Sequence, residues 1–206
     1  VTRSYPFGLN HSVFFWCFLI LLITNTEFLL HGLFPGYFAL SRLPEGLYFT
    51  LALIFDIVSL VALLAVIIAL TRRLFFPPGY IDARTVDAFV VLGLVATLML
   101  AFFGMHGSEI ALGSESAAAF MPVSNFVGYF ILAGAPVSIL TALVMVFFWI
   151  HTVTLLLFLD YLPYSKHMHI LTSIPNCFFR SIEKINTQLP EEFQKGNSYG
   201  VGQVDQ

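Results

Sequence analysis

A chain of 206 residues that is 58% hydrophobic and only 10% charged, with a mean hydropathy of +0.88, lies far from soluble domains and reads as a membrane protein. Its net charge of −3 says little by itself, because orientation in a bilayer follows where the cations stand, not their sum. Cys17 and Cys177, with no CxxC between them, offer neither a thiolate zinc site nor ligands for an iron–sulfur cluster within the chain.

Four apolar segments are long enough to cross the roughly 30 Å hydrocarbon core as helices. The first, residues 13–33, is too long for a signal peptide and lacks a small-residue cleavage site. Cys17 within it reads as an apolar packing residue. His11 opens this helix, and Glu27 and His31, four apart, share a face near its far end. The second span, residues 47–71, carries Asp56 and closes on Arg72 and Arg73. The third, residues 86–105, is closed by His106. Then comes "SESAAAFMPVSNFVGYFILAGAP", partly apolar and broken by Pro122, Gly128, Gly134 and Pro136. It reads as a short segment lying on or dipping into the surface, or as an extension of the fourth helix kinked at Pro136. The fourth span, residues 137–162, holds His151 and leads into "LPYSKHMHI".

The loops orient this bundle. Arg3, Arg72, Arg73, Arg84, Lys166, Arg180, Lys184 and Lys195 collect on one side, and Arg42 stands alone on the other beside Glu45, Glu109 and Glu115. Such an asymmetry places both termini on the cytoplasmic side. No internal repeat is evident, which weighs against a transporter built from duplicated halves.

Ionisable groups inside spans are costly and are functional candidates by default. A histidine at a helix end is ordinarily an interfacial side chain with water at hand, which suits His167 and applies as well to His31 and His106. His151 is different. Apolar surroundings disfavour a charged imidazole, so a neutral ring needing partners for its nitrogens is expected there. On a continuous helix the eighteen residues from His151 to His169 make five whole turns, so both rings would leave one face roughly 27 Å apart. A zinc site wants three or four ligands at one level, whereas these histidines are spread across the membrane thickness. Bis-histidine haem needs only two facing helices at each level, which a four-helix bundle supplies.

The stretch "HTVTLLLFLDYLPYSKHMHILTSIPNCFFR", through His151, Pro163, Tyr164, Ser165, Lys166 and His169, resembles the last helix of nitrate reductase gamma subunits, which are dihaem cytochromes b. It is more similar still to the membrane part of heterodisulfide-reductase-like iron–sulfur oxidoreductases of the electron-transfer-flavoprotein:menaquinone type. "GLNHSVFFWCFLILL" and "FDIVSLVALLAVIIALTRR" resemble their first two helices. The resemblance implies two b-type haems: an inner one between His11 and His169, and an outer one between His151 and either His31 or His106. Lys166 is then a candidate for a haem propionate. One departure is plain: gamma subunits carry first-helix histidines ten apart, and ten residues after His11 stands Leu21. His31, twenty residues on, is rotated by roughly 200° from His11 on a straight helix. A bend near Thr24-Asn25-Thr26, or His11 lying just before the helix, would restore the match.

The expected protein is therefore an all-α integral membrane four-helix bundle with a further short or re-entrant segment. Residues 1–162 would form the dihaem bundle, and residues 163–206 a cytoplasmic tail or linker toward an iron–sulfur domain or subunit. Electrons would pass between that partner and menaquinone or ubiquinone, in a prokaryotic cytoplasmic membrane, with Glu27 and Asp56 as candidates for quinone proton transfer. No nucleic-acid partner is expected. The rival reading is a haem-free membrane anchor that recruits a peripheral redox enzyme.

Overall fold

A computed structural model describes residues 7–34, 39–76, 85–165 and 168–180. The described residues are helical apart from short connections, with no strand among them. They fall into two units divided after residue 166. In the first unit, four helices are long and apolar enough to span a membrane: α1 (Phe7–Leu33), α2 (Glu45–Phe75), α3 (Val86–Leu112) and α5 (Val137–Tyr161). Between α3 and α5 lies a short helix, α4 (Pro122–Phe126), continued by a π-helical turn over Val127–Ile131. The second unit contributes α6 (His169–Phe178).

The helix ends follow the local chemistry. Pro44 precedes α2, Glu45 stands in its first turn, and Arg72 and Arg73 occupy its last, each charge opposing the nearby end of the helix dipole. Asp87 does the same in the first turn of α3. That helix stops at Gly113, whose φ of 73° closes the turn with amide bonds to the Ile110 and Glu109 carbonyls. Gly134 (φ 77°) and Pro136 end the short segment and start α5 afresh, so the segment is a separate piece and not an extension of the fourth span.

The spans run further than hydropathy marks them. Helix α1 begins at Phe7, which puts His11 inside its second turn and not before the helix. Helix α3 continues to Leu112, so His106 lies within it and does not close it. At the other end, α5 stops at Tyr161 and a 3-10 turn follows over Leu162–Tyr164. Pro163 removes an amide donor there, so His151 and His169 do not share one continuous helix and the five-turn phase does not relate them. In the second unit, α6 is an amphipathic helix holding Pro175.

Helix α3 is the centre of the first unit, packing on α5, α2 and the short segment, while α1 rests mainly on α2. Close approach depends on small side chains, because in lipid the packing of surfaces, not their escape from water, joins helices. Ala52, Ser59, Ala62, Ala65 and Ala69 form the buried stripe of α2. Gly107 on α3 faces Gly128 in the π-turn. A Cβ at Gly128 would stand 2.8 Å from the Gly107 carbonyl oxygen, and one at Gly107 would stand 2.6 Å from Val127. Cys17 and Leu21 are both buried beside Ala62, Leu98 and Leu155, as packing residues.

Candidate functional site

The end of the bundle where α1 finishes and α2 begins gathers most of its polar groups. Over its last two turns, α3 presents His106 and Glu109 on one face, three residues apart. The chain then turns at Gly113 and brings Glu115 back over them. His106 Nδ1 lies 3.0 Å from Glu109 Oε2 and 3.6 Å from Glu115 Oε2. Both are ion-pair contacts from a buried ring nitrogen, short of full hydrogen-bond alignment. The other oxygen of Glu115 is fully engaged, accepting from the Tyr48 hydroxyl at 2.9 Å and from the Ala117 amide at 2.8 Å. Burial pushes the Glu115 carboxyl up, but His106, the Ala117 amide and Tyr48 together outweigh it and pull the group down to about 2. Glu115 is therefore an anion under ordinary conditions.

Asp56 sits one layer deeper and is fully buried. Its Oδ2 accepts from the Val123 amide at 2.7 Å, and its Oδ1 from the Ser124 amide at 3.1 Å and hydroxyl at 2.6 Å. The carboxylate thus satisfies the first free amides of α4, an anchor that fixes the short segment to α2. Asn125 adds a bond from its side-chain amide to the Ala118 carbonyl. This geometry is that of a structural carboxylate.

Glu27 accepts from the Leu40 amide at 3.0 Å and lines a shallow groove of about 320 Å³ with Ile23, Thr26, Leu30 and Leu43. His31, in the last turn of α1, is exposed, as is His11 near the start of that helix. In the second unit, His169 begins α6 and is exposed. Lys166, the candidate for a propionate, lies outside the described residues, as does His167.

His151 is the deep polar group of α5, only 4% exposed. Its Nε2 meets the Asn25 side-chain oxygen of α1 at 3.1 Å. Its Nδ1 is buried and turned toward the Leu98 backbone without reaching hydrogen-bond geometry. Phe28 of α1 covers the ring at 4.7 Å between centroids and also packs on Phe148 at 5.2 Å. Helices α1 and α5 thus meet through long side chains, with the Phe28 ring laid against the imidazole. An imidazole with an unsatisfied buried nitrogen and an aromatic neighbour has the donor chemistry that a haem iron takes. His106, with two carboxylates beside Nδ1, also has the form of an oriented ligand.

Sequence reasoning singled out Glu27, Asp56, His151 and His106 but missed their partners. Asn25, Tyr48, Glu109, Glu115 and Ser124 complete the polar structure. Of these, only the i, i+3 pair His106 and Glu109 carried a signal readable from spacing.

No family model matches the chain. It is 28% identical over 206 residues to a Bacillus subtilis (strain 168) protein named "Probable iron-sulfur-binding oxidoreductase FadF", covering 96% of this chain and 28% of that one. It is 22% identical over 214 residues to "EtfAB:quinone oxidoreductase" of Syntrophomonas wolfei subsp. wolfei, covering 100% of this chain and 29% of the relative. The chain thus spans under a third of the length of either relative. No solved structure matches it.

Proposed function

We propose that this chain is the membrane-embedded electron-transfer part of a quinone-linked iron–sulfur oxidoreductase, holding two b-type haems. The observation that carries the reading is His151, a buried imidazole on a membrane-length helix whose Nδ1 has no hydrogen bond. The names of the two relatives support the coarser statement, an iron–sulfur or quinone oxidoreductase. His151 would hold the outer haem with His31 or His106. His11 and His169 are the inner ligands by sequence pattern alone, with Lys166 toward a propionate. Haem supplies a one-electron carrier inside a medium that water cannot enter.

The chain's own residues do the rest. Apolar faces of α3 and α5 exclude water, and Phe28 fixes the plane of the His151 ring. Quinone chemistry couples electrons to protons, and Glu27, in its open groove between α1 and the connection that follows it, is the better-placed of the two carboxylates to exchange one. Asp56 holds the neighbouring segment while its oxygens accept three hydrogen bonds. The partners are menaquinone or ubiquinone, a cytoplasmic iron–sulfur domain or subunit, and the lipid of a prokaryotic cytoplasmic membrane with both termini inside.

The test is a reduced-minus-oxidised spectrum of the purified protein. Two b-type haems per chain are expected, and His151→Ala lowers haem content by about half with the helices intact. A colourless protein, or unchanged haem in a folded His151→Ala variant, overturns the assignment. The 3.1 Å contact of His151 with Asn25 favours one rival, the haem-free anchor in which that pair is simply a buried polar contact.

A further inference from the structure

Histidines spread across a membrane do not make a zinc site, but one histidine meeting two carboxylates at a single level is another matter. His106, Glu109 and Glu115 each offer one ligand atom, and the three atoms lie within 4.8 Å of one another. We propose that these three residues bind a divalent metal ion of the zinc class, separate from any haem.

Several observations carry this. Two carboxylates brought this close repel each other, and apart from the His106 ring nitrogen between them the described residues donate to only one of the four oxygens, Glu115 Oε1. The two oxygens turned toward His106 face one buried ring nitrogen, which meets both as ion-pair contacts and has no other partner among the described residues. Glu115 has a side chain only 9% exposed, so its Oε2 points into the cluster and not into solvent. The observed separations of 3.0 and 3.6 Å bracket the roughly 3.4 Å between neighbouring ligands of a tetrahedral ion with bonds near 2.1 Å.

The support around the ligands has the form such sites take. Tyr48 and the Ala117 amide hold Glu115 Oε1, which fixes the direction in which Oε2 is presented. Phe102 packs on the His106 ring at 4.5 Å and limits its rotation. Glu109, on the outer face of the helix, is 29% exposed, leaving a way in for the ion and a fourth position for water. One imidazole and two carboxylates form a mixed nitrogen and oxygen set with net charge −2, which suits zinc or a neighbouring transition ion over calcium. Metal on His106 Nδ1 leaves His31 as the partner of His151 in the reading above, on which this inference does not otherwise depend.

The experiment uses the complete protein with its natural partners, stripped with a chelator and then dialysed against zinc as the sole added metal. Haem is measured in the same sample. One zinc per chain is expected, with affinity falling at least about tenfold in Glu109→Gln and in His106→Gln and unchanged in Glu27→Gln. Zinc should also raise the unfolding temperature of the wild type and not of Glu109→Gln. Because Glu109 is partly exposed, that variant keeps its fold and the test its meaning. Wild-type zinc affinity in both ligand variants would overturn the site, as would a protein that takes up no zinc at micromolar concentration. A haem-free sample that still binds zinc through these residues would fail the haem reading and uphold this one.

Discussion

Helices α1 and α3 are equally long and both strongly apolar, yet the molecule treats them differently. Of the most apolar eighteen residues of α3, 50% are buried inside the protein; for α1 the share is 11%. Polar groups follow suit. Those around α3 are locked to one another: His106 against two glutamates, Asp56 against three donors, Glu115 against Tyr48. Those of α1 sit at an open surface, Glu27 in a groove and His11 and His31 exposed. The lesson is that a costly polar residue in a span has two stable outcomes: complete enclosure by partners, or a place at the edge where something else can reach it.

Asp56→Ala tests the enclosed half hardest. It strands a part-buried amide, a buried amide and a buried hydroxyl of the short segment, so a loss of about 4 kcal/mol is expected, at roughly 1–3 kcal/mol for each unsatisfied donor. Thermal unfolding in detergent, with protease cleavage at residues 114–136, would show it. A stable variant that merely stops turning over quinone would return Asp56 to a proton-transfer role. Gly128→Ala presses a methyl group onto the Gly107 carbonyl and should cost about 2 kcal/mol by overpacking, read from the same melts. Tyr48→Phe removes a single hydrogen bond to Glu115 and should cost about 1 kcal/mol. On the open half, Trp16→Ala on α1, at a position 62% exposed, should shift stability by less than about 0.5 kcal/mol. A larger loss there would mean that α1 has a protein neighbour on that face.

The four spans and the separate fifth segment were legible because hydropathy and the Gly134 and Pro136 breaks are local properties of the chain. Which span sits at the centre was not, since α1 and α3 look alike by composition and only their packing separates them. His151 was readable as an exception for the same local reason, an ionisable ring in an apolar run. Its partner Asn25 is 126 residues away, and Tyr48 is 67 from Glu115; no spacing rule reaches so far. The histidine phase argument failed at one residue, because Pro163 breaks the helix on which it counted turns.

The lengths of the helices carry one more consequence. Helix α2 rises roughly 46 Å over its 31 residues, well beyond a hydrocarbon layer about 30 Å thick. On α3 no ionisable side chain occurs between Asp87 and His106, and those two lie about 28 Å apart along the axis. Asp87 accepts a hydrogen bond from Tyr161 at 2.9 Å, and His106 stands among its glutamates, so the two levels mark where oil gives way to headgroups. Everything from His106 upward, including Glu109, Glu115 and Tyr48, is overhang. The cluster that looks intramembrane on a hydropathy plot would then lie at the level of the headgroups, and an ion from the aqueous phase would reach it without crossing the hydrocarbon layer.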